Sequence, residues 1–394
     1  MKRILLSLLT LSLLSPLAAQ DIIRPGSDGD VSLKLEIERA IAKGVTFLKS
    51  QQDKETGKFG DENLPALTAL SVSSLIGDPN RDLDAPFSAE IEKGFDFLES
   101  KAKGDGGIYG KGLATYNTAL SVMALVQSGK EEHLPIIAKA RRLLINQQQD
   151  YDKRGESDNL FDGGIGYGGS YAHSDLSNTH LAMEALYYSK KALSDTDFDE
   201  SSEFDLNWDA AIEFVSRTQN SEDTAKKLGE WATVREKDKG GFVYFPGDSK
   251  AGEVELKDDG TERTALRSYG SMSYAGLLAF IYAEMDINDP RIQSALTWLQ
   301  ANFTLEENPG LDAQGLYYYY HTMGKALSIA RIKELKTPEG EIIDWKEQLS
   351  VKVMGTQETN GSWINEGSNR WMEDDPILVT AYSLLTLEHI YRGL

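Results

Sequence analysis

Five residues, Thr68-Ala69-Leu70-Ser71-Val72, recur letter for letter at positions 118–122, fifty residues further along a chain of 394. Self-similarity at this period marks stacked supersecondary units, none of which can bury its own apolar face alone. Weaker copies run along the rest of the chain. Lys43-Gly44-Val45-Thr46-Phe47-Leu48 returns as Lys93-Gly94-Phe95-Asp96-Phe97-Leu98, then more loosely as Lys139-Ala140-Arg141-Arg142-Leu143-Leu144. Further matches are Phe214-Val215, Trp298-Leu299 and Lys352-Val353. The aliphatic anchor therefore falls at Leu48, Leu98, Leu144, Val215, Leu299 and Val353, with spacings of 50, 46, 71, 84 and 54. Four positions after the anchor, four copies carry a glutamine: Gln52, Gln148, Gln219 and Gln357. A glycine turn follows, as in Gly57-Lys58-Phe59, Gly106-Gly107-Ile108-Tyr109, Gly163-Gly164-Ile165-Gly166-Tyr167 and Gly240-Gly241-Phe242-Val243-Tyr244.

Apolar positions at three- and four-residue spacing predict two helices per unit. The first carries more charge, as suits an outer layer; the second is small and apolar, as suits a helix packed on every side. All six second stretches hold a hydroxyl in one slot: Thr68, Thr118, Thr179, Ser273, Thr322 and Thr380. Helix capping or core bonding is the expected role of these hydroxyls. Six helix pairs can close into a ring with two layers, so the expected fold is all-α, an (α/α)6 toroid forming one domain over residues 36–394. The longer spacings mark insertions. Residues 195–205, with six carboxylates, and the charged loop of 250–263 are expected to be solvated surface.

The N-terminus reads as an address. Lys2 and Arg3 precede an apolar run from Ile4 to Leu14, followed by Pro16-Leu17-Ala18-Ala19-Gln20. That pattern is a signal peptide over residues 1–19, cut near Ala19, with a linker over 20–35 and export to the periplasm or medium. Acidic residues outnumber basic ones by 62 to 41, a net charge of −21 that repels nucleic acid and anionic membranes. No later segment reads as a membrane span. The chain has no cysteine, which excludes disulfides, thiolate zinc sites and a thiol nucleophile. Five histidines without metal-site spacing make a histidine metal centre unexpected, so no metal and no cofactor are predicted.

Gln357-Glu358-Thr359-Asn360-Gly361-Ser362-Trp363 has the form Q-x3-G-x-W, and Lys43-Gly44-x2-Phe47-Leu48-x3-Gln52 its longer version. The repeats resemble the prenyltransferase and squalene-oxidase repeat family, the α/α-toroid of squalene and hopene cyclases. The likeness spans roughly residues 36–394 and is similar to an exported bacterial branch without an assigned reaction. The resemblance implies a toroid. It implies cyclase chemistry only with the acid motif D-x-D-D, which is absent here; the zinc and thioester chemistries of the fold need a cysteine. Physically, the glutamine amide ties an outer helix to the next turn, glycine allows the bend and tryptophan stacks on its neighbours.

A ring brings the turn-to-inner-helix junctions to one end. The binding candidates there are Tyr116, Asn117, Tyr167, Asp175, Asn178, His180, Arg267, Tyr269, Tyr274, Tyr319, Tyr320 and Trp371. The catalytic candidates are Glu373 and Asp374, adjacent acids that can share a proton, and His321. Arg267 is expected to pair with one of these acids. Aromatic walls with few polar groups suit a small apolar or sugar-like ligand. The leading expectation is a toroid that binds such a ligand, or a protein partner, in its central mouth. The alternative is an enzyme: an acid-catalysed cyclase or isomerase using Glu373 and Asp374, or a polysaccharide lyase or hydrolase using Asp175 or His321 with a tyrosine.

Overall fold

The computed structural model describes residues 28–394 apart from 170–172 and 259. The signal peptide and its cut therefore lie outside the described residues. In chain order the helices are α1 Asp28–Gln51, α2 Pro65–Gly77, α3 Ala89–Ser100, α4 Ala114–Ser128, α5 Leu134–Asn146, α6 Leu176–Leu193 and α7 Trp208–Thr218. After a short α8, Glu222–Leu228, come α9 Gly270–Tyr282, α10 Pro290–Ala301, α11 Leu316–Ile329, α12 Trp345–Gly355 and α13 Pro376–Gly393. Helix α1 begins inside the stretch expected as linker, so residues 28–35 are helical.

Helices α2, α4, α6, α9, α11 and α13 touch one another in that order, and α13 packs back on α2. The Ser74 hydroxyl donates to the Ala381 carbonyl across that closing seam (3.3 Å). This inner ring is covered on every side: Pro65 to Leu75 of α2 are all buried. The outer helices show the one-sided pattern of a surface layer. In α3, Ile91, Gly94, Phe95, Phe97 and Leu98 are buried and face inward, while the charges face out. The result is an α/α-toroid, and all six aliphatic anchors are buried in its wall.

The glutamines fasten four of the outer helices to the next. Gln52 donates to the Gly57 and Glu90 carbonyls, Gln148 to those of Gly163 and Asn207, and Gln219 to those of Gly240 and Arg291. Gln357 donates to Gly361 and, at 2.9 Å, to Ala40 of α1, closing the outer layer. The turn glycine must be glycine. At Gly361, with φ +92°, a Cβ would sit 2.5 Å from the Lys43 carbonyl oxygen, a contact no side chain tolerates.

The hydroxyl slot is not a helix cap. Thr68, Thr118, Thr179, Ser273 and Thr380 lie inside their helices and accept the N–H of Phe59, Ile108, Ile165, Phe242 and Trp363 at 2.9–3.0 Å. Each bond pins a glycine turn onto its inner helix. The expected charged loop of 250–263 also differs: β2 (Glu253–Asp258) and β3 (Thr261–Leu266) form an antiparallel hairpin, and β1 (Ala232–Thr233) pairs with β3. In the acidic insertion, Asp205 is held by Arg141 and Lys190, and Glu200 by Arg142, so part of that run is ion-paired.

Candidate functional site: a bore divided by tyrosines

Each inner helix turns one stripe of side chains toward the ring axis. On α11 the stripe is Tyr318, His321 and Lys325; on α13 it is Tyr382, Leu385 and His389; on α4 it is Tyr116, Leu120 and Met123. Three tyrosines meet toward the N-terminal ends of these helices, Tyr116 and Tyr318 each being the third residue of its own. The Tyr116 and Tyr382 hydroxyls are 3.4 Å apart, reaching over α2, and the Tyr318 and Tyr382 rings are 5.7 Å apart. The Tyr318 hydroxyl lies 3.4 Å from Nε2 of His180, reaching over α9 to α6. Tyr116, Tyr318 and Tyr382 border a cavity on either side, so they form a waist that separates two chambers.

The upper chamber, about 300 Å³, lies at the N-terminal ends of the inner helices. Six tyrosines wall it: Tyr116, Tyr167, Tyr244, Tyr269, Tyr318 and Tyr382. Burial pushes the Tyr116 hydroxyl up to about 12, and burial with the neighbouring Asp175 raises Tyr244, so these groups serve as neutral hydrogen-bonding hydroxyls. Lys250 caps one side, its ammonium 4.4 Å from the centre of the Tyr244 ring. At the mouth stand Leu113, Trp371 and Met372, exposed by 41%, 46% and 39%. All three have left-handed backbone, with φ of 49°, 57° and 64°, which costs a non-glycine residue of order 1–3 kcal/mol each.

Among the described residues, Glu373 is the single carboxylate lining this chamber. It is buried because it serves the N-terminus of α11, whose first residue follows Gly315, a position without a capping side chain. Its Oε1 accepts the Tyr318 N–H at 2.8 Å and its Oε2 accepts the Asn365 amide at 2.6 Å. Burial outweighs these bonds and pushes its pKa up to about 7. Asp374 next to it is exposed, and Asp375 caps α13 by accepting the Ile377 N–H at 2.8 Å. Glu373 is thus turned inward and Asp374 outward, and among the described residues the expected proton-sharing pair is not seen.

The lower chamber, about 390 Å³, lies at the C-terminal ends of the inner helices and has a different character. Lys325 on α11, partly buried, and Glu184 on α6, buried, form an ion pair at 2.5 Å that reaches over α9. Glu388, His389, Arg392 and His321 complete the polar side, while Leu120, Met123 and Leu181 form an aliphatic side. His321 stacks on Tyr382 with ring centres 5.4 Å apart.

Of the residues predicted from sequence, Tyr116, Tyr167, Tyr269, Trp371 and Glu373 come together in the upper chamber. His321 lines the lower one, on the far side of the waist from Glu373. The others line neither chamber. Asn117 ties α4 to α2 by accepting the Ala66 N–H at 3.1 Å. Asp175 caps α6 through Asn178, with both its oxygens engaged at 2.8 Å; burial raises it to about 6. His180 is a core residue bonded to the Leu176 carbonyl, and burial holds it down to about 3. Tyr319 and Tyr320 donate to the carbonyls of Thr304 and Leu305, and Tyr274 packs on Tyr319 inside the wall. Arg267 belongs to the hairpin, its N–H donating to Gly252, and among the described residues it makes no ion pair with Glu373 or Asp374. Tyr244, Tyr318, Tyr382, Glu184, Lys325 and Glu388 were not anticipated. For Lys325 a signal was available on α11, where it follows His321 by one helical turn in a helix otherwise largely buried; for the others no such mark was found.

No family model and no curated protein sequence matches the chain. Solved structures do share its architecture. The type II terpene cyclase MstE from Scytonema is similar with a TM-score of 0.53 and 12% identity, over 92% of this chain and 99% of that one. An alpha-1,6-mannanase from Salegentibacter is similar with a TM-score of 0.52 and 13% identity, over 91% of this chain and 100% of that one. At such identities the likeness is one of fold, and it places the chain among α/α-toroids. A variant of MstE has been solved with geranylgeranyl dihydroxybenzoate as substrate, and the mannanase with alpha-1,6-mannotriose. Among the described residues no helix is long and apolar enough to cross a membrane.

Proposed function

We propose that this chain is an exported toroid that binds a small, largely apolar ligand, isoprenoid or aromatic in kind, in its upper chamber. The mouth carries this reading. Leu113, Trp371 and Met372 hold apolar side chains in solvent on strained backbone, around a chamber walled by tyrosines. A fold keeps strain of this kind where it serves a site. Aromatic walls with a few hydroxyls suit an apolar body bearing one polar group. The terpenoid substrate of MstE is of this class, which supports the reading by analogy of fold.

A second reading, acid catalysis by Glu373, has one observation in its favour: a buried carboxyl lining the chamber, with its pKa near 7. Against it stand two N–H donors that already occupy both oxygens as acceptors. The polysaccharide variant lacks its groups, because Asp175 is locked in a cap and His321 faces the other chamber. Thermal shift with farnesol separates the first two. Binding raises the melting temperature with the logarithm of farnesol concentration above its Kd, and Trp371→Gly weakens the affinity at least tenfold. Farnesol recovered unchanged by gas chromatography supports binding alone; a cyclised product lost in Glu373→Gln would establish the enzyme. No shift at any concentration would contradict both.

A further inference from the structure

We infer that Tyr116 sets the longest isoprenoid tail the bore admits. This rests on the reading that the upper chamber binds such a ligand. The Tyr116 ring floors that chamber, and the space a longer tail would fill lies directly beneath it, because Tyr116 borders both cavities. A side chain that served only to fill the bore would leave no space above and below itself. Nor is its hydroxyl a tie to the backbone. It meets the Tyr382 hydroxyl at 3.4 Å, whereas Tyr319, inside the wall, donates to the Thr304 carbonyl at 3.0 Å. The ring therefore stands as a partition and not as a strut.

What lies below the waist differs around the ring. Helices α4 and α11 stand opposite each other in the inner layer, with α2 and α6 flanking α4. Beneath Tyr116, one and two turns along α4, come Leu120 and Met123, and the flanking helices add Leu70 and Leu181. Beneath Tyr318, on α11, come His321 and Lys325, and Lys325 is held by Glu184 at 2.5 Å. A tail passing Tyr116 would keep apolar neighbours over about 10 Å of helix, from Tyr116 to Met123. A tail passing Tyr318 would strip water from an imidazole and an ion pair and offer no hydrogen bond in return. The limit on length therefore belongs to Tyr116, and Tyr318 and Tyr382 complete the floor without setting it.

Titration calorimetry on the full chain tests this, with geraniol, farnesol, geranylgeraniol and geranylfarnesol in turn. In the unsubstituted protein affinity should rise with length to one member and fall about tenfold at the next, whose last unit finds no room. Tyr116→Ala should restore that excluded member about tenfold or more, by letting its tail reach the aliphatic side below. Tyr116→Leu, which keeps an apolar side chain in the wall, should restore it by a smaller factor and carries the test if the alanine variant does not fold. Tyr318→Ala should leave the member excluded. Affinity that rises through the whole series, exclusion that survives both Tyr116 substitutions, or its equal relief by Tyr318→Ala would overturn the proposal and leave the reading of the upper chamber standing. No binding by any of the four alcohols would overturn that reading, and the proposal with it.

Discussion

The two chambers share a waist and six helices, yet they differ in how their polar groups are satisfied. Above the waist, the one carboxylate, Glu373, has both oxygens bonded, and what stands out is apolar surface held on strained backbone. Below it, the apolar surface is ordinary, and what stands out is a largely buried ion pair beside two unpartnered polar atoms. The difference follows from helix direction. The upper chamber lies where inner helices begin, so loops and caps build it; the lower lies where they run on, so side chains at three- and four-residue spacing build it. A toroid can thus carry a loop-tuned mouth and a helix-built mouth at opposite ends.

That contrast can be broken from either side. The largest effect is expected at Lys325→Met, which strands Glu184 in the wall. Removing one partner of a buried pair costs about 3–5 kcal/mol, to be read by urea unfolding, and adding Glu184→Leu should restore most of it. A loss near zero would mean that the pair is solvated.

Next comes the pH dependence set by Glu373. Its folded pKa, about 7, lies above the ordinary 4.5, so the folded chain holds the proton over that interval while the unfolded chain releases it. Stability is therefore full below pH 4.5 and falls as pH rises to 7, by at most about 3 kcal/mol. Asp175 adds a smaller fall that ends near pH 6. Glu373→Gln keeps an acceptor for the Tyr318 N–H and should remove the part of the slope between pH 6 and 7. An unchanged slope would place the titration elsewhere.

The smallest effect on stability is expected at Trp371→Gly. Glycine adopts φ +57° without strain, so the loss of packing and the relief offset each other to within about 1 kcal/mol. Binding in the upper chamber should nonetheless fall, and equilibrium unfolding beside a farnesol titration separates the two quantities.

Much of the ring was legible because its marks are local. The Leu48-to-Gln52 spacing and the glycine turns recur because every outer helix meets the next in one geometry, and Gln357 reaching Ala40 is that geometry closing on itself. Thr68 and its counterparts were visible as a slot, but their partners were not, since the turn N–H arrives from 9 residues upstream at Thr68 and from 31 at Ser273. The bore was less legible. Whether Tyr318 or Tyr319 faces the axis depends on helix phase, which residues 317–320, four tyrosines in a row, conceal. Glu373 and Asp374 looked like one acidic unit, yet the first is buried against the start of α11 and the second is exposed. The hairpin had a readable period of two in Val254 and Leu256, hidden by the glutamates and lysine around them.

The central claim is that apolar ligands bind above the tyrosine waist, in the chamber rimmed by Trp371. A crystal of the protein soaked with a brominated prenyl alcohol tests it most directly, through the anomalous signal of bromine. The account predicts a peak among Tyr116, Tyr244 and Trp371. A peak below the waist, among Met123, Leu181 and Lys325, or a crystal with no peak, would contradict it.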